Sequence, residues 1–187
     1  MTQQGKNAID LVLAESLIEL SAKKPIDKIT IKEITDKAGV IRPTFYNHFQ
    51  DKYELIEWII KTELLEPIKP LLNAGMIFEA IVLMLNNISA NSVFYKKALK
   101  LEGAVTFNQI AMKCVYEMFM NIISEKSTGK KSKWLTPEGI STYYAQSLCF
   151  ITEGWIAQGM DDIEPKEMAE AYMYLITRSM DDILSEL

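Results

Sequence analysis

The sequence predicts an all-α fold, because apolar residues recur at spacings of three and four along most of its 187 residues. Proline and glycine stand where these periodic segments begin and end, as they do at helix boundaries. No segment shows the strict alternation of apolar and polar residues that is typical of a strand. We expect two domains, a small helical domain in residues 1–52 and a larger one in residues 53–187.

The first predicted helix runs from Asn7 to Ser21 and is amphipathic. Its apolar face would support the two short helices that follow it. That face is formed by Ile9, Val12, Leu13, Leu17 and Leu20.

Residues Thr30 to Leu55 hold two short helical patterns joined by a tight turn. Thr30 and Glu33 have the spacing of a capping box, which starts a helix. Gly39 can adopt the left-handed conformation that ends it, and Pro43 suits the first turn of the next helix. This arrangement predicts a helix-turn-helix, although helix pairs with a glycine turn also occur in proteins that never bind DNA.

The second helix of this pair would carry the DNA-reading surface. Phe45 and Phe49 lie four residues apart and should point together into the core. The opposite side would then face the major groove, and it carries Pro43, Thr44, Tyr46 and Asn47.

The side chains on that surface suit nucleic-acid contacts. Arg42 can donate two hydrogen bonds to a guanine or grip a phosphate, and Asn47 can pair with adenine. Thr44 can touch a thymine methyl or a phosphate, Tyr46 can reach a phosphate, and Lys52 at the next helix start suits a phosphate. The complete predicted DNA-binding set is Thr30, Lys32, Arg42, Pro43, Thr44, Tyr46, Asn47, His48 and Lys52.

His48 is the only histidine in the chain. A lone histidine forms neither a metal site nor a catalytic triad without partners that the sequence does not show. We interpret it as a residue that packs and orients the backbone, with a phosphate contact as the alternative.

The run from Thr30 to Leu55 resembles the N-terminal signature of the TetR/AcrR family of bacterial transcription regulators. The resemblance rests on T-x-x-x-I-x-x-x-A-G-V followed by T-F-Y-x-H-F-x-x-K-x-x-L. It implies an all-helical homodimer in which three N-terminal helices bind double-stranded operator DNA. It also implies that the C-terminal domain binds an effector and the second subunit.

One position departs from the family pattern. Ile41 stands where the family usually has a Ser or Thr that caps the reading helix. The helix end therefore loses a side-chain acceptor, which is typically worth about 1 kcal/mol.

Charge is distributed unevenly along the chain, whose formal net charge is −5. Between Lys23 and Lys52, seven Lys or Arg stand against four Asp or Glu, a local charge of +3, whereas residues 134–187 hold two basic and ten acidic residues, a local charge of −8. We expect the acidic end to face away from DNA.

Cys114 and Cys149 lie in apolar helical patterns, so we expect buried free thiols. The N-terminus is polar and no apolar stretch reaches the length of a membrane span, so we expect a soluble, cytoplasmic protein without membrane contact. No phosphate loop, nucleophile elbow or ligand-spaced His or Cys cluster is found. We therefore expect no enzyme, no cofactor and no metal.

The rest of the chain predicts further helices. The third DNA-domain helix should continue from Lys52 to about Glu66, where Pro67 and Pro70 end it, and connect the two domains. The other predicted helices are Gly75–Ser89, Ser92–Leu101, Thr106–Glu125, Pro137–Ala157 and Pro165 to about Ser185, with a mobile loop at Lys126–Lys133.

An uninterrupted apolar stripe follows the helix from Phe107 to Ile122, without a charged residue on it. It can be plain core or it can partly line a ligand cavity. The chain holds ten Met and three Trp, whose side chains suit a pocket, so we hypothesise an apolar effector site. Its predicted lining is Met84, Phe107, Met118, Phe119 and Trp155.

The helix from Pro137 is apolar on two sides, which indicates deep burial or a partner. With the last helix it could form a four-helix bundle across a twofold axis. The predicted interface residues are Tyr144, Leu148, Ile151, Tyr172, Leu175 and Ser179.

A second resemblance concerns the C-terminal half. Glu153 to Ile156, Gly159, Pro165, and Tyr95 after Asn91 look like the C-terminal type of regulators of dihydroxyacetone kinase operons. That resemblance implies that a kinase-like protein can replace the small effector and that the outcome can be activation. The favoured function is an effector-switched DNA-binding regulator, a repressor. The alternative is a helical protein-interaction module or co-activator controlled by a protein partner.

Overall fold

A computed structural model describes residues 3–103, 105–126 and 133–186, and within them every regular element is helical. The predicted loop at Lys126–Lys133 lies largely outside these residues. The elements are α1 (Gln3–Lys23), a 3₁₀ turn (Ile26–Lys28), α2 (Ile31–Ala38), α3 (Arg42–Tyr46), α4 (Lys52–Ile59), a π-helical segment (Ile60–Leu65), α5 (Glu66–Asn73), α6 (Ile77–Ala90), α7 (Ser92–Ala98), α8 (Phe107–Lys126), α9 (Pro137–Ala157), α10 (Pro165–Thr177) and α11 (Met180–Glu186).

The N-terminal helices pack as a small unit whose core matches most of the predicted apolar face. Leu13 and Leu17 of α1 are fully buried and belong to the same apolar core as Ile34 of α2. Val12, which was expected in this core, is instead 40% exposed. It therefore lies outside the apolar core that α1 shares with α2, α4 and α7.

The predicted ends of α2 are confirmed. The backbone N–H of Glu33 donates to Thr30 Oγ1 at 3.3 Å, and the Thr30 N–H donates to Glu33 Oε2 at 2.9 Å, which completes a capping box. Gly39 follows with φ 68°, a left-handed conformation that favours glycine.

The connecting helix does not end at Pro67, so that prediction was wrong. The chain stays helical from Lys52 to Asn73, with a π-helical stretch before Pro67. Proline has no N–H to bond the carbonyl four residues earlier, that of Glu63. The side-chain amide of Asn87 on α6 donates to this carbonyl at 3.0 Å, so a neighbouring helix replaces the missing bond.

The larger half is built mainly from α6, α8, α9 and α10, with α8 packed along α9 and α10 against α6. Cys114 and Cys149 are buried and free, as predicted. Burial raises the pKa of both thiols to about 12, so neither ionises near neutral pH. Among the described helices none alone is long and apolar enough to span a membrane; α6 and α7 satisfy that test only as a pair bent by 88°.

The last predicted helix is two helices. α10 ends at Thr177 and α11 begins at Met180. Ser179 caps α11: its backbone N–H donates to Asp182 Oδ2 at 3.1 Å, and its Oγ accepts from the Asp182 N–H at 3.1 Å. These two bonds start a new helix at a position where the sequence pattern alone predicted continuity.

Candidate nucleic-acid interface

The helix α3 is held by its aromatic inner side. Phe45 is fully buried and Phe49 is 4% exposed, and their ring centroids lie 5.8 Å apart. Trp58 of α4 packs edge-on against Phe49 at 6.3 Å. These contacts leave the opposite side of α3 to face solvent.

The outer side of α3 brings together five of the predicted DNA-binding residues. Arg42, Pro43, Tyr46 and Asn47 are exposed, and Thr44 is half-buried. Arg42 Nη2 donates to the Tyr46 hydroxyl at 2.9 Å, and the guanidinium carbon lies 5.5 Å from the Tyr46 ring centre. The Tyr46 side chain therefore limits the rotamers that Arg42 adopts on the exposed side of α3.

Ile41 occupies the N-cap position of α3, and its side chain makes no capping hydrogen bond. The helix start is held by a backbone bond, in which the Thr44 N–H donates to the Ile41 carbonyl at 2.9 Å. The Ile41 side chain is 70% exposed.

His48 follows α3 but does not belong to its exposed side. Its Nδ1 lies 2.6 Å from Asp10 Oδ1, and the two side chains are only 2% and 10% exposed. Because the ring is enclosed and bonded to Asp10, this conformation favours the packing and orienting interpretation over a phosphate contact. The pair ties α1 to the turn that ends the reading helix.

Lys52 also departs from its predicted role. Its Nζ donates to the carbonyls of Ile26, Asp27 and Ile29 at 2.9, 2.7 and 3.1 Å. An ammonium has three donors, and all three are used. Burial lowers the pKa of Lys52, in keeping with an ammonium drawn away from water. Lys52 therefore holds the 3₁₀ turn onto α4 and has no donor left for a phosphate.

Thr30 and Lys32 lie on exposed positions around the start of α2, apart from the α3 surface. The Thr30 hydroxyl donates to Glu33 at 2.8 Å as part of the capping box. Lys32 forms an ion pair with Asp36, which raises the pKa of Lys32.

The lysines around the helix pair carry acidic partners that the sequence did not reveal. Lys24 binds Glu33, and Lys37 binds Glu19. The Lys24 ammonium and the Thr30 backbone N–H lower the pKa of Glu33 to about 2. Lys24 and Lys37 are therefore neutralised locally, whereas the exposed Arg42 donates only to the neutral Tyr46 hydroxyl and keeps its charge available.

A cluster of four charged residues, none of them predicted from the sequence, links α4 and the π-helical segment after it to α8. Lys113 of α8 reaches Glu57 of α4 at 2.8 Å. Lys61 lies 2.7 Å from Glu57 and 2.8 Å from Glu117 of α8. Burial alone would lower the pKa of Lys61, but the carboxylates of Glu117 and Glu57 raise it overall. Glu57 and Lys61 are four residues apart, but their partners on α8 lie 56 residues further along the chain, so local spacing gave no signal of the contact between the two helices.

A cavity of about 410 Å³ lies among α5, α6, α8, α9 and α10. Its lining includes three of the residues predicted for an effector site, Met84, Met118 and Phe119. Phe107 instead lines a second cavity of about 50 Å³, which Met84 also touches. Trp155 lines neither cavity: it is 2% exposed, and its indole N–H donates to the Ile163 carbonyl at 2.9 Å. Its assignment to the ligand site is wrong because the loop after α9 encloses it.

The wall of the larger cavity is apolar apart from a few neutral polar groups. These are the hydroxyls of Tyr144, Tyr172 and Thr177, and Tyr172 also bonds to Ser147 at 3.1 Å. No charged side chain belongs to the lining. Such a cavity disfavours an ionic ligand, because nothing in the wall would offset the loss of its hydration.

The predicted interface residues divide between the interior and the surface. Leu148 and Tyr172 are 5% and 4% exposed, so they belong to the protomer's own core and their assignment was wrong. Tyr144 lines the cavity, and Ile151 is half-buried. Leu175 is 53% exposed and Ser179 is exposed, although Ser179 caps α11.

The exposed apolar side of α9 carries two residues that were not in the predicted interface. Tyr143 is 59% exposed and Phe150 is 80% exposed. They lie seven residues apart and therefore share one face of the helix. The sequence signal was present, since this stripe is the second of the two apolar sides of α9.

Two family models match the chain. One, described as the transcriptional regulator C-terminal region, matches residues 76–178, which is more than half of the chain. The other, for bacterial regulatory proteins of the TetR family, matches residues 15–59 and contains α2, α3 and α4. The chain belongs to the TetR family. It is a DNA-binding transcription regulator, and the matched families are regulators rather than enzymes. Regulators of this family bind operator DNA and act as dimers.

Similar proteins agree with this assignment. The HTH-type dhaKLM operon transcriptional activator DhaS of Lactococcus lactis subsp. lactis (strain IL1403) is 24% identical over 150 residues, which is 79% of each chain. The solved structure of the dihydroxyacetone kinase operon activator DhaS has a TM-score of 0.64 and 22% identity, covering 90% of this chain and 93% of that one. Native NalD, the secondary repressor of the MexAB-OprM multidrug efflux pump in Pseudomonas aeruginosa, has a TM-score of 0.56 and 13% identity, covering 91% and 96%. The two structures show the same fold.

Proposed function

We propose that this TetR-family regulator is a homodimeric repressor that reads its operator with α3 and is switched by an apolar effector in the 410 Å³ cavity. In this proposal residues 1–52 form the DNA-binding domain and residues 53–187 the effector and dimerisation domain. Arg42, Thr44, Tyr46 and Asn47 make the base and phosphate contacts. A helix of this kind places its N-terminal residues at the base edges of the major groove.

The switching part of the proposal rests on one observation: helices that line the cavity also contact the N-terminal unit that holds α3. Met118 and Phe119 of α8 line the cavity, and Lys113, about one and a half turns earlier on the same helix, binds Glu57 of α4. Ile68 of α5 also lines the cavity, and α5 continues the helical path of α4. A ligand that displaces either helix would therefore move α4, against which α3 is packed through Phe49 and Trp58.

The wall chemistry supports a neutral, largely apolar effector that carries one hydroxyl or carbonyl group. The Tyr144 and Tyr172 hydroxyls can hydrogen-bond such a group, while the remaining wall offers apolar contact. Flexible Met84, Met118 and Met173 side chains can adjust to its shape.

The exposed apolar side of α9 supports the dimer. Tyr143 and Phe150, together with Leu175 of α10, would remain in water in a monomer. An isologous contact of α9 and α10 with the same helices of a second copy would bury them. Phe150→Glu should therefore yield a monomer in sedimentation at micromolar concentration. Val93→Glu, at an exposed site on α7, is the control that should leave the dimer intact.

The reading surface is tested with an operator selected from random DNA duplexes. Arg42→Ala and Asn47→Ala should each weaken specific binding by about 1–3 kcal/mol while the melting temperature stays unchanged. Unchanged affinity in both variants would remove them from the interface.

The switch is tested with a panel of neutral apolar compounds, screened for those that raise the melting temperature. The active compounds should lower the affinity of the wild-type protein for the operator. Ile140→Trp, which fills the cavity from its wall, should abolish both effects.

A second variant separates ligand binding from its transmission. Glu57→Gln should retain the compound-induced rise in melting temperature but lose most of the change in operator affinity, because the link between α4 and α8 is broken. Glu79→Gln, exposed on α6, is the matched control. If no compound shifts the melting temperature, small-molecule control is refuted and a protein partner becomes the better hypothesis.

A further inference from the structure

The exposed side chain of Ile41 is not explained by the fold. At 70% exposure it is the most exposed of the large apolar side chains in residues 8–103. It makes no capping bond, and the backbone contact between Thr44 N–H and the Ile41 carbonyl would form with any residue at this position. Leaving so large an apolar surface in water forgoes the stabilisation that burial supplies.

The position of Ile41 places it beside the residues of the reading surface. It directly precedes Arg42 and stands at the N-terminal end of α3, the end that enters the major groove in helix-turn-helix complexes. We propose that Ile41 is a specificity-determining residue that packs against the 5-methyl group of a thymine in each half-site of the operator. This inference rests on the proposed binding of the operator through α3.

The chemical groups that the bases present in the major groove make thymine the partner for Ile41. Ile41 has neither a donor nor an acceptor in its side chain, so it can discriminate bases only by apolar contact. Thymine is the base that presents a methyl group in the major groove, whereas guanine, adenine and cytosine present polar atoms at their edges. The neighbouring Arg42 can donate to guanine, so the two residues would read adjacent bases by different means.

The test begins with the duplex that the full-length protein selects from a random library. Each thymine of that duplex is replaced in turn by deoxyuridine, which removes only the 5-methyl group and keeps every hydrogen bond. Replacing the contacted thymine in one half-site should weaken binding of the wild-type protein about fourfold, which corresponds to the free energy of burying one methyl group. Replacement in both half-sites should weaken binding about fifteenfold.

The assignment to Ile41 is made by repeating the series with variants. Ile41→Ala should bind the selected duplex more weakly and show no further loss when deoxyuridine is introduced. Ile41→Ser supplies a capping oxygen but no apolar surface, and it should be equally insensitive to the methyl group. Val93→Ala, at another exposed apolar site far along the chain, should keep the full wild-type sensitivity.

Two results would overturn the inference while leaving operator reading by α3 intact. One is wild-type affinity that is unchanged by deoxyuridine at every thymine. The other is a deoxyuridine penalty that persists in Ile41→Ala, which would mean that another side chain contacts the methyl group. If no sequence is selected at all, or if Arg42→Ala and Asn47→Ala bind the selected duplex normally, the proposed reading surface itself fails and the inference fails with it.

Discussion

Replacing Lys52 by methionine should destabilise the protein without weakening its electrostatic attraction to DNA. Methionine keeps the length of the aliphatic stem but removes the three bonds to the carbonyls of Ile26, Asp27 and Ile29. Two of these bonds are partly buried, and a hydrogen bond from a charged donor contributes about 1.5–3 kcal/mol net. The desolvation of the ammonium offsets part of that gain. We expect a loss of about 2–4 kcal/mol in the free energy of unfolding.

The measurement is urea denaturation of wild type and variant at one fixed protein concentration, because a dimer's stability depends on it. Lys28→Met is the matched control: it removes the same charge nearby, but its Nζ lies 3.4 Å from Asp27 and its side chain is 75% exposed. It should change stability by less than about 0.5 kcal/mol. The dependence of operator binding on salt should be the same for Lys52→Met as for wild type. The opposite result would be a Lys52→Met variant whose free energy of unfolding is within about 0.5 kcal/mol of wild type and whose operator affinity depends less steeply on salt, by about one unit of slope for each protomer. That result would show that Lys52 binds a phosphate.

Three further predictions follow from single contacts. Asn87→Ala should lower the free energy of unfolding by about 1–2 kcal/mol, because it leaves a backbone carbonyl of the connecting helix without a hydrogen bond. Asn86→Ala, at the exposed neighbouring residue, is the control and should be almost neutral in the same urea titration. His48→Ala should lower the free energy of unfolding by about 3 kcal/mol, because it leaves the buried carboxylate of Asp10 without its partner. An unchanged melting temperature in this variant would refute the prediction. The pKa of Glu33 is lowered to about 2 in the folded state from 4.5, so its stabilising effect should be complete above about pH 5 and decline as the pH falls towards 2. The stability difference between wild type and Glu33→Gln should therefore shrink between pH 5 and pH 2, and a constant difference would contradict the assignment.

Features that depend on a few neighbouring residues could be predicted from the sequence. The capping box of Thr30 and Glu33 spans three residues, and the left-handed Gly39 and the N-terminal Pro43 each act at one position. The contact that caps α4 is equally local, because the Asp51 carboxylate accepts from the N–H groups of Tyr53 and Glu54 at 2.8 and 2.9 Å. Local steric and hydrogen-bonding rules decide these ends, so tertiary structure did not change them.

Features that depend on distant partners could not be predicted. The lysine at position 52 looked free for a phosphate, because its three carbonyl acceptors lie more than 20 residues earlier in the chain. Pro67 looked like a helix terminator, because nothing in its neighbourhood shows that Asn87 will take up the carbonyl that a proline leaves unbonded. Both errors arose where tertiary contacts satisfied groups that local rules treat as unsatisfied.

The two apolar sides of α9 show why an interface is harder to assign than a core. Both sides repeat with helical spacing, so the sequence cannot tell which of them faces α8 in the same protomer. The structure decides this by packing Phe119 of α8 against Tyr144 with ring centres 5.8 Å apart, which rotates α9 so that Leu148 is buried. The same rotation turns Phe150 outward to 80% exposure. In the proposed dimer, the surface available to the second protomer is therefore set by the packing of α8 on α9. A variant that weakens the Tyr144 contact should disturb that dimer without changing any exposed side chain of the proposed interface.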